Sequence, residues 1–250
     1  MINTVIPLAG PNRFASDDFH YPKPLIEVNN VPLIEHVIRC MDRIDLEQRY
    51  IFIVNQDDCQ QYHLDSLLRL LCGDDTVIIP LKAHTAGAAC SVLMAVDYIN
   101  NDDPLIITNS DHIIDSALDS HVRGFIDDGD DAAVLCFESV HPKWSYVRLD
   151  DQQQVIEAAE KRPISKNAIA GFYYYKRGQD FVRSAMDMIA KDAHVDGRFY
   201  IAPSLNELIL SGKKIGCRQI DKSAYFHFYD SKKLQEYEKY LASQKSGRTG

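Results

Sequence analysis

The chain reads as an α/β protein with a mostly parallel, mixed central sheet and helices on both faces. Two observations predict this. In the first half, short apolar runs alternate with amphipathic stretches of helical period, the βαβα order of a parallel sheet covered on both sides. In the second half, strand-length runs follow one another through turns, as antiparallel or mixed pairing requires. In order, Ile2–Leu8 reads as a strand, Leu33–Ile44 as a helix and Tyr50–Asn55 as a strand. Leu64–Leu71 reads as a helix, Thr76–Leu81 as a strand, Cys90–Ile99 as a helix and Pro104–Thr108 as a strand. Four strands follow at Ala132–Phe137, Tyr146–Leu149, Val155–Glu160 and Ala170–Tyr175, then helices at Asp180–Lys191 and Pro203–Leu210. A strand at Lys214–Gln219 and a polar helix at Ser231–Lys245 end the pattern. Without repeat, linker or low-complexity tract, residues 1–245 are expected to form one domain of two lobes around a cleft. The halves are 1–115 and 116–245, and 246–250 is a tail expected to fray.

Hydrophobic residues make up 46 % of the 250, enough for a full core. The net charge of −9 argues against a nucleic-acid or anionic-membrane partner, so phosphate-binding cations must be local exceptions. No apolar stretch approaches the ~20 residues of a membrane span, and nothing resembles a signal peptide. Six cysteines at 40, 59, 72, 90, 136 and 217 are scattered without a C-x-x-C pair, as in a reduced cytoplasmic protein.

Three segments carry chemistry. Val5-Ile-Pro-Leu-Ala-Gly10 ends an apolar run in a glycine turn, with Arg13 and Lys23 following within one loop. Glycine lets backbone N–H groups of Leu8, Ala9 and Gly10 approach phosphate oxygens, Arg13 can clamp them with its fork, and Lys23 supplies a point charge. Two solvated cations beside a turn would give the same pattern. Thr108-Asn-Ser-Asp111 places a carboxylate at a strand end, where it serves equally as a metal ligand or as a turn cap. His84-Thr-Ala-Gly87-Ala88 offers small residues against which a flat base can lie, or simply starts a helix.

Gly10, Arg13 and Pro22-Lys23-Pro24-Leu25 resemble the N-terminal signature of the nucleoside-diphosphate-sugar pyrophosphorylases, or sugar-1-phosphate nucleotidyltransferases: G-x-G-[ST]-R, a gap, then P-K-P-L. The resemblance runs from Val5 to about Leu241. The loop departs from it, being one residue shorter and lacking the second glycine. The resemblance implies a Rossmann-like nucleotidyltransferase fold of the glycosyltransferase-A type. It implies Mg²⁺ on Asp111, and Gly87 and Ala88 on base or ribose. Glu160-Lys161-Arg-Pro, which is otherwise a charged turn, would put Glu160 on sugar hydroxyls and Lys161 near the sugar phosphate, with Gly171 giving backbone approach. Arg13, Lys23 and Asp111 would be the catalytic set. His227 falls where the family has a second metal aspartate, so either one protein carboxylate suffices or Asp230 substitutes. The implied substrates are a nucleoside triphosphate and a sugar 1-phosphate or similar metabolite, for surface polysaccharide precursors. A glycosyltransferase using a nucleotide sugar and a non-catalytic binding homologue stay open, as does a homo-oligomer.

Overall fold

The computed structural model describes residues 1–10 and 21–247. The first half contributes β1 (Ile2–Pro7), the hairpin β2 (Glu27–Val28) and β3 (Val31–Pro32), and α1 (Leu33–Met41). Asn29 and Asn30 turn that hairpin with φ of 56° and 61°, the left-handed pair a two-residue turn demands. Then come β4 (Gln48–Asn55), α2 (Gln56–Tyr62), α3 (Leu64–Cys72), β5 (Val77–Leu81), α4 (Ala88–Leu93), α5 (Val96–Ile99) and β6 (Leu105–Thr108). The second half adds β7 (His112–Ile114), α6 (Leu118–Asp127), β8 (Ala132–Glu138), β9 (Ser145–Leu149), β10 (Val155–Glu160) and β11 (Asn167–Tyr175). It ends with α7 (Gly178–Ala190), α8 (Ile201–Leu210), β12 (Ile215–Gln219), β13 (Tyr225–His227) and α9 (Ser231–Gly247).

One nine-stranded mixed sheet runs β10-β9-β11-β6-β1-β4-β5, with β8 joined to β11 and β12 joined to β8. The β6, β1, β4 and β5 strands are parallel, as expected. β11 is antiparallel to β6, β8 and β9. Both faces are buried, and the period-two pleat sorts the residues between them. In β4, Tyr50, Phe52 and Val54 join one core with α1, α3, α6 and α9, while Ile51 and Ile53 join the other with α4, α7 and α8. Tyr173 and Tyr175 belong to that second core.

Three elements differ from the sequence reading. The Cys90–Ile99 helix starts earlier and breaks at Met94 and Ala95 into α4 and α5. α2 is polar and carries no apolar stripe, whereas α6 has one at Leu118, Val122 and Phe125 that the sequence reading leaves unassigned. β7 is the third: its pairing with β13 joins Ile113 to Phe226 across nearly half the chain, beyond any local pattern. All six cysteines are free.

Candidate active site

Because β1 and β6 are parallel neighbours, Leu8-Ala9-Gly10 and Asn109-Ser110-Asp111 emerge at one sheet edge. They line a cavity of about 340 Å³. Lys23 enters it from a short helical turn whose Pro22 and Pro24 fix the backbone. Its Nζ lies 3.2 Å from Asp111 Oδ2. Burial pushes the Asp111 carboxyl up, but the fields of His227, Lys23 and His112 outweigh it and hold the group below the usual carboxylate range. Among the described residues its side chain caps no backbone turn; its own carbonyl accepts from Phe228 N at 2.8 Å.

His227 faces Asp111 from β13, with Nε2 3.7 Å from Oδ1. Burial pushes its imidazole down, against the pull of the Asp111 carboxylate. His112, opposite His227 in the ladder, is only 1 % exposed. Burial lowers it to about 4. Its Nε2 lies 3.2 Å from Thr108 Oγ1. Asp230 does not reach this centre; its carboxylate accepts from Lys233 N at 3.0 Å and caps α9.

The opposite wall is His84-Thr85 and Gly87-Ala88. His84 Nδ1 is 2.9 Å from the Ala9 carbonyl and ties the two walls together. Gly87, with φ of 133°, passes so close to Phe199 that a Cβ would sit 2.4 Å from its carbonyl oxygen. Small residues here let two backbones meet, and they leave room above Ala88.

The acceptor-side residues are placed less directly. Glu160 accepts a hydrogen bond from Ser145 Oγ, and burial pushes its carboxyl up. Lys161, left-handed at φ 54°, bonds Asp196 at 3.0 Å and lies over the Tyr200 ring outside the cavity lining. Gly171 sits beneath the cavity, with φ of 69°. A Cβ on it would be 2.5 Å from Asn109 Nδ2 and 2.9 Å from His112 Cε1, so only glycine lets β11 pass under the Asp111 loop. Arg13 lies outside the described residues.

Sequence reasoning missed Arg198, which lines the cavity beside Tyr200. Its signal was the Asp196-Gly197 pair, with φ of 51° and 71°, turning a one-bridge hairpin between Val195 and Arg198.

A family model described as nucleotidyl transferase matches residues 19–194, about 70 % of the chain. The chain belongs to the nucleotidyl transferase family. It is therefore a transferase enzyme by family. Among similar proteins, the bifunctional protein GlmU of Methanococcus aeolicus is 25 % identical over 157 residues, 62 % of this chain and 35 % of that protein. GlmU of Methanocaldococcus jannaschii is 26 % identical over 159 residues, with the same coverage. The match thus spans about a third of the length of these curated relatives. A crystal structure of a nucleoside-diphosphate-sugar pyrophosphorylase from Vibrio cholerae superposes with a TM-score of 0.82 at 22 % identity, covering 96 % of this chain and all of that one. One named as a glucose-1-phosphate thymidylyltransferase from Bacillus anthracis gives 0.72 at 18 % identity, covering 95 % and 94 %. At these identities the two structures bear on the fold, which they share with this nucleotidyl transferase.

Proposed function

We propose that this nucleotidyl transferase joins a nucleoside triphosphate to a sugar 1-phosphate or similar phosphorylated metabolite, releasing pyrophosphate, in cytoplasmic synthesis of surface polysaccharide precursors. The observation that carries the reading is the convergence of a glycine-ended strand, the Lys23–Asp111 pair and the Gly87 loop on one cavity. We read residues 1–115 as the nucleotide half and 116–245 as the acceptor half of one domain.

The Asp111 carboxylate is a hard oxygen donor that fits Mg²⁺, whereas His227 beside it offers an imidazole nitrogen that Mg²⁺ does not favour. Among the described residues no third His, Cys, Asp or Glu joins them, so phosphate oxygens and water would complete the shell. Mg²⁺, when bound, supplies charge neutralisation at the α-phosphate. The chain's own part is positioning and electrostatics. Gly10 exposes backbone to the phosphates, and Lys23 neutralises them from the cavity wall. Gly87 and Ala88 give the base a flat seat. Arg198 at the cavity and Lys161 beside Tyr200 supply the cations that orient the acceptor phosphate, and Glu160 receives hydroxyl donors. The acceptor phosphate oxygen attacks the α-phosphorus in line, and the α–β bridging oxygen leaves with pyrophosphate, so no covalent enzyme intermediate is required.

The test is pyrophosphate release from a panel of triphosphates and sugar phosphates with Mg²⁺. Release dependent on both substrates is expected. A nucleoside diphosphate as product would indicate a glycosyltransferase, and binding without turnover a non-catalytic homologue.

A further inference from the structure

The Asp111–His227 pair separates two cavities. Asp111 lines the first, and His227 lines a second of about 410 Å³. The second has an aromatic floor. Phe137 and Tyr225 stack at 4.5 Å, and Trp144 meets them edge-on at 5.3 and 5.7 Å. Trp144 also touches His227, ring to ring at 5.0 Å. The rim is cationic, carrying Lys143, Lys222 and Lys233. Lys143 Nζ is held 4.4 Å from the Trp144 ring centre and 3.8 Å from that of Tyr229. Burial, then the field of Lys233, pushes its ammonium below the ordinary lysine value, against the weaker pull of Asp230.

Charge balance at this rim is lopsided. Lys233 is neutralised by Glu236 at 2.5 Å. Neither Lys143 nor Lys222 has a carboxylate within 4 Å among the described residues, on a chain of net charge −9. An ammonium fixed between rings and partly stripped of water gains more from an oxyanion than a freely solvated lysine does. A cationic guest would have to displace Lys143 and then face Lys222 and Lys233, so the cavity selects against it. The cavity also borders the acceptor side. Trp144 precedes Ser145, whose hydroxyl bonds Glu160, and His227 opens onto Asp111.

We propose that the acceptor is doubly anionic: besides the phosphate joined to the nucleotide, it carries a second oxyanion, carboxylate or phosphate, seated at Lys143 and Lys222 against the Trp144 wall. The inference rests on the nucleotidyl transfer reading of the first cavity. The second oxyanion takes no part in the bond changes; it selects and orients the substrate.

Trp144 is the only tryptophan, so its emission reports on this cavity directly, whether or not turnover occurs. Three probes are titrated: a hexose 1-phosphate, the matching hexuronic acid 1-phosphate, and the hexose 1,6-bisphosphate. At least one doubly anionic probe is expected to bind about 10-fold or more tighter than the neutral-ring probe, the scale of one charge-assisted contact. Which one does so distinguishes a carboxylate from a phosphate. In Lys143→Gln and Lys222→Gln that ratio should fall towards one. Equal affinity for all three probes, a Trp144 signal unmoved by any of them, or Lys143→Gln weakening all three alike would each overturn the proposal. Failure of the underlying reading shows separately, as absence of pyrophosphate release with every acceptor.

Discussion

Asp111 combines a buried position with a charge that its neighbours keep ionised, and among the described residues its side chain holds up no local turn. Asp111→Asn should therefore leave the fold intact and lower turnover about 10²-fold or more, because charge stabilisation through a metal is worth several kcal/mol. Pyrophosphate release beside a melting curve checks both halves; full activity would remove Asp111 from the reaction. Arg198 and Lys161 are the two cations proposed for the acceptor phosphate. Lys161 is engaged by Asp196 outside the cavity, whereas Arg198 lines it. Arg198→Ala should raise the acceptor KM more than Lys161→Ala does, with the triphosphate KM less affected. The reverse order would return the leading role to Lys161. His112 carries a pH signature. Its folded value of about 4 lies below the ordinary imidazole value of 6.5. The stability it confers is thus fully present above pH 6.5 and is lost as pH falls towards 4, because the unfolded chain takes up the proton first. Denaturant unfolding should lose about 2 kcal/mol between about pH 7.5 and 5, and His112→Phe should flatten that slope.

At the scale of elements, β11 does the most to shape the site. Its Asn167 and Ala168 pair with β9, and its Phe172–Tyr175 with β6, so the strand changes partner at Gly171. Gly171→Ala forces a left-handed residue and a clash with Asn109, costing about 1–3 kcal/mol for the backbone alone. A lowered melting temperature with weakened triphosphate binding is expected, and a variant as stable as the parent would show that the Asp111 loop yields easily. Legibility followed range. β1, β4, β6 and α1 were readable because local period and apolar runs specify them. Gly10, Lys23 and Asp111 were readable because each follows a strand or sits in a short motif. β7 was not, since it depends on residues distant in sequence, and although the Asp196-Gly197 turn is a local signal, only the fold brings Arg198 to the cavity. Lys143 carried no signal of its own, because Tyr229 joins Trp144 around it only in the folded chain.

At the scale of the whole molecule, the cavity draws on both halves of the chain, since Gly10, Gly87, Asp111 and Arg198 all line it. A ligand there should stabilise the entire fold. A triphosphate with Mg²⁺ at about 100 times its Kd adds about 2.7 kcal/mol, or roughly 5–10 °C in Tm for a chain of this size. Differential scanning at rising nucleotide concentration checks this, and a flat Tm would remove the cavity as a nucleotide site. The β7–β13 ladder has a further consequence, for how the protein is made. His227 meets Asp111 only through that pairing, and α9 follows β13 directly and packs its Leu234 and Tyr237 into the core beside α1. On the ribosome, strands β1 and β6 emerge well before residues 225–241. A nascent chain can pair β1 with β6 early, yet the wall facing Asp111 waits for residues 225–227. The surroundings of Asp111 are thus complete only once β13 has paired with β7.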